Sequence, residues 1–417
     1  MLWDRIERGS VLALVATLAL APWLVAHGEQ LSFAEVERGR YLAAAGDCEA
    51  CHTGKGGTPF AGGRPIETPF GTIFSANITP DRDTGIGAWS DDQFYRALHE
   101  GIAADGSNLY PAFPYPWYTK VTRDDSDAIR AFLKTLPPVP NKKPDNQLVW
   151  PLDNRAVMAG WNELFFKPGT FAPDATKSAD WNRGAYLVEG LGHCGACHTP
   201  TNVFGAAEKG NHLQGGTLQN WYAPSLSGDL RSGLGAWSVA EIVEFLKTGR
   251  NARTAAYGPM SEVITFTTSK LSDADLTAMA TYLKDMPAGK PQAQPEKLDP
   301  SEARAGEAIF VDNCSACHRS NGEGVAGMFP SLKGDAVVQS AKATTAIRLI
   351  LNGGRSVATD ARPTSLSMPS FGWKLSDEQV AAVASYMRSA WGNAAPSVSA
   401  SDVSALRSQV GLGEAAR

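Results

Sequence analysis

All six cysteines of the chain fall in one repeated frame: Cys48-Glu49-Ala50-Cys51-His52, Cys194-Gly195-Ala196-Cys197-His198 and Cys314-Ser315-Ala316-Cys317-His318. Cys-x-x-Cys-His is the attachment frame of a c-type haem. Two thiols three positions apart, at a helix end, can each form a thioether to one edge of a porphyrin. The adjacent imidazole then turns over the ring and coordinates its iron. Other uses of the frame fit less well. A zinc ribbon pairs its Cys-x-x-Cys knuckles within roughly 15–20 residues, whereas these frames lie more than a hundred residues apart. A thioredoxin-like dithiol needs a βαβ setting, which surrounds none of them. A disulfide inside each frame would leave three histidines without a role. The repetition makes each frame support the others, and three covalent haem c groups are the expectation.

A length of 417 residues predicts about three domains at roughly 100–200 residues each. A formal net charge of −5 gives no electrostatic case for nucleic acid. The 41 glycines and 26 prolines imply the many turns that small domains need to wrap a large apolar ligand. Near the start, Val11–Ala26 is an apolar run preceded by Arg5 and Arg8 and followed by His27-Gly28-Glu29-Gln30. It reads as a signal peptide over residues 1–28, rather short for a membrane span. Asp4 and Glu7 offset the two arginines and no A-x-A site precedes Glu29, so an uncleaved anchor is the alternative. No later segment is long and apolar enough to cross a bilayer.

The repeat extends beyond the cysteines. A glycine-bearing helical stretch precedes each frame: Glu37-Arg38-Gly39-Arg40-Tyr41, Asn182-Arg183-Gly184-Ala185-Tyr186 and Arg304-Ala305-Gly306-Glu307-Ala308. Gly85-Ile86-Gly87-Ala88-Trp89-Ser90 recurs as Gly233-Leu234-Gly235-Ala236-Trp237-Ser238, each time before a short amphipathic helix, Asp91–His99 and Val239–Lys247. The third copy has a comparable helix near Thr344–Leu351 but no tryptophan motif. Each copy closes with an amphipathic helix carrying an aromatic residue, Phe132, Tyr282 or Tyr386. The pairing predicts that first and last helices cross, the glycine letting the backbones approach and the aromatic ring packing across.

Each unit therefore resembles a class I cytochrome c domain, giving a mainly α fold of three tandem domains, each a few helices around one covalent haem. The whole chain resembles the triheme cytochrome c subunit of bacterial membrane-associated dehydrogenases of the alcohol, gluconate, fructose and flavin-dependent glucose types. The motifs that carry this are Gly-Asp-Cys48…Cys51-His52-Thr, Ser75-Ala76-Asn77-Ile78-Thr79-Pro80-Asp81, Leu109-Tyr110-Pro111-Ala112-Phe113-Pro114-Tyr115, Ala159-Gly160-Trp161-Asn162 and Trp181-Asn182-Arg183-Gly184-Ala185-Tyr186. Composition places the domains at residues 33–143, 180–287 and 301–392. Residues 144–179 form an aromatic linker expected to pack on the first two domains, and residues 288–300 a stiff Pro-rich one. The tail, residues 393–417, is read as a disordered end in preference to a docking helix, although Val403, Leu406 and Val410 make a weak apolar stripe.

The resemblance implies an electron-transfer subunit rather than an enzyme. Its partner would be a flavin- or PQQ-containing catalytic dehydrogenase subunit, with room for a small third subunit. Its acceptor would be ubiquinone or another cytochrome. It would associate peripherally with the outer face of the cytoplasmic membrane, in the periplasm. The chain shows no dinucleotide-binding glycine fingerprint, no nucleophile elbow and no catalytic acid–base pair. The alternative is a stand-alone multihaem redox enzyme of peroxidase or thiosulfate-oxidising type, which needs an open or unusually ligated haem.

Axial ligation separates the units. His52, His198 and His318 are the expected proximal ligands. A thioether as sixth ligand saturates the iron and raises its potential. Met368 and Met260 precede the closing helices of the third and second units, where this fold supplies its methionine. Met328 is a weaker rival to Met368. The first unit has Phe113 there, with no methionine between His52 and the linker. Met158, in the aromatic linker, is the expected substitute, against the alternative that it only packs among aromatic rings. His99, His193 and His212 have no motif that recommends them.

Overall fold

The same helix-start chemistry recurs in all three units. Ser90 and Ser238 each accept a hydrogen bond from the backbone three residues on, while Gln93 and Glu241 reach back to cap the serine. These reciprocal caps satisfy amides that a helix start leaves unpaired. They open the helices Asp91–Glu100 and Val239–Thr248. Thr122, Ser272 and Ser376 each accept from the backbone three residues on at the start of the three closing helices, and at Ser376 Gln379 completes the reciprocal cap.

A computed structural model describes residues 31–289, 295 and 297–411. The segment read as a signal peptide and part of the Pro-rich linker, residues 290–294 and 296, lie outside them. The first unit comprises α1 (Phe33–Ala45), α2 (Cys48–Cys51), strands β1 (Pro65–Thr68) and β2 (Gly71–Phe74), α3 (Asp91–Glu100), α4 (Tyr115–Tyr118) and α5 (Arg123–Lys134). The linker adds β3 (Gln147–Leu148), which pairs antiparallel with β2, and α6 (Val157–Phe165). The second unit has α7 (Ala179–Tyr186), continued by a π-helical turn, α8 (Gly195–His198), the hairpin β4 (Gly216–Leu218) and β5 (Trp221–Ala223), α9 (Val239–Thr248), α10 (Pro259–Phe266) and α11 (Asp273–Lys284). The third has α12 (Pro300–Asn313), α13 (Ser315–His318), α14 (Thr344–Asn352), the short pair β6 (Gly354–Arg355) and β7 (Ser367–Met368), and α15 (Asp377–Ser389). After it comes α16 (Ala400–Val410).

In every unit the first and last helices cross at the predicted glycine. A Cβ on Gly39, Gly184 or Gly306 would overlap the backbone carbonyl of Ala128, Ala278 or Ala382. It would also stand 3.0, 2.9 or 2.6 Å from the Cβ of Phe132, Tyr282 or Tyr386. Only glycine permits this approach. The closing helix is then bolted to the preceding loop by a cation: Arg130 donates to Ile86 and Trp89 carbonyls, Lys284 to Leu234 and Gly235, and Arg388 to Val338 and Ser340.

The first two units share one apolar core, running from Leu42, Phe132 and Leu133 through Tyr186, Leu187 and Leu191 to Leu276 and Met279. Around it a polar contact is made twice, in opposite senses. Tyr186 donates its hydroxyl to Asp125, which Arg38 pairs. Reciprocally, Tyr41 donates to Asp275 Oδ2 at 2.7 Å, and Arg183 holds the same carboxylate through two bonds of 2.8 Å. In the third unit the corresponding residues are Ala305, Ala308 and Gln379, so it cannot make this contact. It has its own core around Phe310, Ile347, Val380 and Met387, and joins the second unit elsewhere. Thr345 Oγ1 accepts from the Tyr222 amide at 2.8 Å and donates to the Tyr222 carbonyl at 2.9 Å, and Arg348 lies over the Trp221 ring.

The linker is folded onto both neighbours. Tyr115 donates to Asn162, the Phe171 amide donates to the Lys120 carbonyl, and Trp161 donates to the Phe204 carbonyl at 3.0 Å. One expectation fails. The tail from Ala400 to Val410 is an ordered helix, not a disordered end: Ser399 caps it and Val403, Leu406 and Val410 are buried in the third core. Arg407 fastens it through Asp377 and the Gly372 and Leu375 carbonyls. Its stripe is short but complete over three turns, and the third unit offers the apolar face that covers it. Among the described residues, no helix is long and apolar enough to cross a membrane.

Candidate haem sites

Each Cys-x-x-Cys-His frame sits on or beside a single short helical turn, which presents both thiols and the imidazole to one side. The three histidines are held alike. Nδ1 of His52 lies 2.6 Å from the Ala76 carbonyl, that of His198 2.7 Å from Pro224, and that of His318 3.1 Å from Pro330. A carbonyl only accepts, so Nδ1 carries the proton and the Nε2 lone pair is left for a metal. Burial lowers the affinity of all three rings for a second proton, which keeps them neutral. The histidine backbone is clamped too: the carbonyls of His52, His198 and His318 accept from Gly62, Gly215 and Gly324. All three glycines have positive φ, at 75°, 91° and 65°. That conformation, with backbone or a tyrosine ring pressed against the missing Cβ, suits glycine alone.

The thiols have the wrong electrostatics for a redox dithiol or a thiolate metal site. Burial pushes Cys48, Cys51 and Cys194 up to about 12, and Cys197 and Cys314 up to about 11. Reactive cysteines are shifted the other way. Buried sulfurs that never ionise suit thioethers. Among the described residues, no three His, Cys, Asp or Glu side chains converge on a metal position.

The third site shows space for a porphyrin. A cleft of about 930 Å³ is lined by Cys314, Cys317, His318, Met368 and Phe371. A second of about 750 Å³ shares Cys314, His318, Met368 and Phe371 and continues to Leu332, Ile350 and Met387. Mainly apolar walls with a few polar groups at the rim suit a large planar cofactor. Met368, half-buried on β7, borders both spaces, whereas Met328 borders only the first and is 51% exposed. The cleft also takes Arg250, Thr254, Ala255 and Tyr257 from the second unit, which sequence reasoning did not anticipate.

Met260 opens α10, half-buried between the shared core and a small cluster of Ala256, Ile264 and Val357. The same helix reaches the first unit: Glu262, in its first turn, pairs with Arg64 at 2.7 Å, and Thr267, just past its last residue, donates to Asp47 at 2.8 Å. Phe113 packs on the shared core with its ring 5.4 Å from Tyr118. Met158 is buried at 5% exposure on α6. That helix is bonded through Asn162 to Tyr115, two residues beyond Phe113. Of the remaining histidines, His99 stacks on Tyr95, and His212 lies 2.7 Å from Glu189. His193 is half-buried at the junction of the first two units, edge-on to Tyr118.

Fold and sites together define a protein of cytochrome c domains, and the comparisons with known proteins agree. The cytochrome c family model matches residues 303–391. The gluconate 2-dehydrogenase cytochrome c subunit of Pantoea cypripedii is 42% identical over 95% of both chains. The cytochrome c subunit of the quinone alcohol dehydrogenase of Gluconobacter oxydans is 40% identical over 97% of this chain and 88% of its own. The fructose dehydrogenase cytochrome subunit of Gluconobacter japonicus is 38% identical over 89% and 82%. The chain belongs to this family of dehydrogenase cytochrome c subunits, and binds haem c covalently.

Proposed function

We propose that the chain carries three haem c groups and relays electrons from a catalytic dehydrogenase subunit to ubiquinone or another cytochrome. The observation that carries the reading is the threefold recurrence of one constellation: two half-buried thiols, a neutral imidazole locked by a carbonyl, and a glycine clamp behind it. Cys48 and Cys51, Cys194 and Cys197, and Cys314 and Cys317 would form the thioethers. His52, His198 and His318 would hold the iron through nitrogen, and Met158, Met260 and Met368 through sulfur. Bound there, the iron supplies a one-electron couple. The protein's part is to orient the imidazoles, exclude water and fix the distance between units. The shared core and α10 keep the first two sites close, and the second unit closes the third site.

The relatives are subunits of gluconate, alcohol and fructose dehydrogenases by name. The partner proposed here is a flavin- or PQQ-containing enzyme of that kind, at the periplasmic face of the cytoplasmic membrane, with peripheral association and room for a small third subunit. No relative named above favours a stand-alone peroxidase or thiosulfate-oxidising enzyme. The test is reduction of the purified chain, followed by its haem absorbance. Its dehydrogenase with substrate should reduce it, and sugars or alcohols alone should not. Direct reduction by such a substrate would overturn the proposal.

A further inference from the structure

Arg250 borders the third cleft, although it belongs to the second unit. Its Nε and Nη1 are shielded from solvent and have no hydrogen-bond partner among the described residues. A guanidinium buried without an anion is costly, because its charge is desolvated with nothing in return. The surrounding charges do not supply one. Arg362, from the third unit, adds a second cation beside Arg250 and lowers its proton affinity. Arg362 uses Nη2 on Glu244, and its own Nη1 is also buried and unpartnered. Glu323, the carboxylate that borders the cleft, is bonded to Lys333 at 3.3 Å and to Asn321 at 2.9 Å. Tyr257, nearby, is held neutral by burial, and the Asp335 carboxylate is engaged by the Val337 and Val338 amides. Among the described residues, no carboxylate is hydrogen-bonded to the two buried nitrogens of Arg250.

We infer that Arg250 binds a propionate of the haem held at Cys314, Cys317 and His318, so that the second unit completes the third unit's haem site. A propionate is the anionic part of an otherwise apolar cofactor. The planar fork of arginine meets a carboxylate with two parallel N–H groups. Arg250 and Met260 would then bring two haems onto one segment of chain, the propionate of the third at one end and the iron of the second at the other.

This inference rests on a haem being present in the third unit, and the experiment keeps the two apart. Peptide mass mapping of the unaltered protein reports whether Cys314 and Cys317 carry haem; its absence there sinks the underlying reading. With haem present, Arg250→Gln and Arg250→Lys are compared by redox titration and by the propionate-bending bands in resonance Raman spectra. A nearby cation disfavours the oxidised, more positive haem. In Arg250→Gln one potential of three should therefore fall, with a change in the bending bands, while the lysine variant keeps most of the potential. The displaced wave should be the one missing from a Cys314→Ala/Cys317→Ala protein. Three unchanged potentials and unchanged bending bands in Arg250→Gln would overturn the inference, as would a shift confined to either of the other two haems.

Discussion

Gly184→Ala tests the helix crossing on which each unit is built. Gly184 is buried in α7, where α11 crosses. An added Cβ would stand 2.5 Å from the Ala278 carbonyl carbon and 2.9 Å from the Tyr282 Cβ. Carbon atoms in ordinary contact are about 3.5–4.0 Å apart, so the helices must separate by about 1 Å. The obstacle is backbone on both sides, which cannot rotate away, and this places the substitution near the upper end of overpacking costs, about 3 kcal/mol. Against that, alanine gains about 1 kcal/mol over glycine in a helix interior. The net expectation is a loss of about 2 kcal/mol. Gly160→Ala is the control, because Gly160 lies within α6 and a Cβ there meets nothing within 4 Å. It should gain about 0.5–1 kcal/mol from propensity alone. Guanidinium unfolding followed by haem absorbance and far-ultraviolet dichroism reads the difference. Equal stability of the two alanine variants would refute the account of the crossing.

Other expectations follow from the sites and the interfaces. Mass spectrometry of the denatured protein should give the polypeptide plus three haem masses, and a two-haem mass would remove one site. Met158→Ala and Met368→Ala should each abolish the thioether-to-iron absorption of one haem and lower its potential; survival of every band in Met158→Ala would reduce Met158 to packing. Tyr186→Phe should weaken the contact between the first two units by about 1–3 kcal/mol, since it leaves the buried Asp125 short of a donor; an unchanged unfolding midpoint would contradict this. Asp335 is raised from 3.8 to about 6 by burial, so the folded third unit binds its proton more tightly than the unfolded chain does. Its contribution to stability is therefore full below about pH 4 and is lost as pH rises toward 6. Asp335→Asn keeps an oxygen for the Val337 and Val338 amides, both of which donate to Oδ1, and should flatten that slope in acid-range unfolding.

The frames, the crossing glycines and the closing helices were legible in the sequence because each is local, or recurs at a fixed offset within a helix. The histidine clamps were not. Gly62, Gly215 and Gly324 stand ten, seventeen and six residues after their histidines. The loops differ in length, so no common spacing betrays a common geometry. The interface tyrosines were in view as a pattern: Arg38 and Tyr41 match Arg183 and Tyr186, while the third copy has Ala305 and Ala308. What was missing was the partner carboxylate, more than sixty residues away at the third position of a closing helix. The tail was misjudged because three apolar residues in eleven look weak until a neighbouring surface is known to receive them. Arg250 carried no sequence signal, since its meaning depends on which unit lies against it.

The two tyrosine–aspartate contacts give the first pair of units the logic of a homodimer written into one polypeptide. A surface that is its own complement is used up when two copies meet, so such an association stops at two. A third copy with the same surface would find nothing left to bind. Loss of Arg38, Tyr41 and their aspartate from the third unit is thus the condition for adding it on another face, against Trp221 and Tyr222. The chain is a closed pair with an appended member, joined through a face the pair does not use.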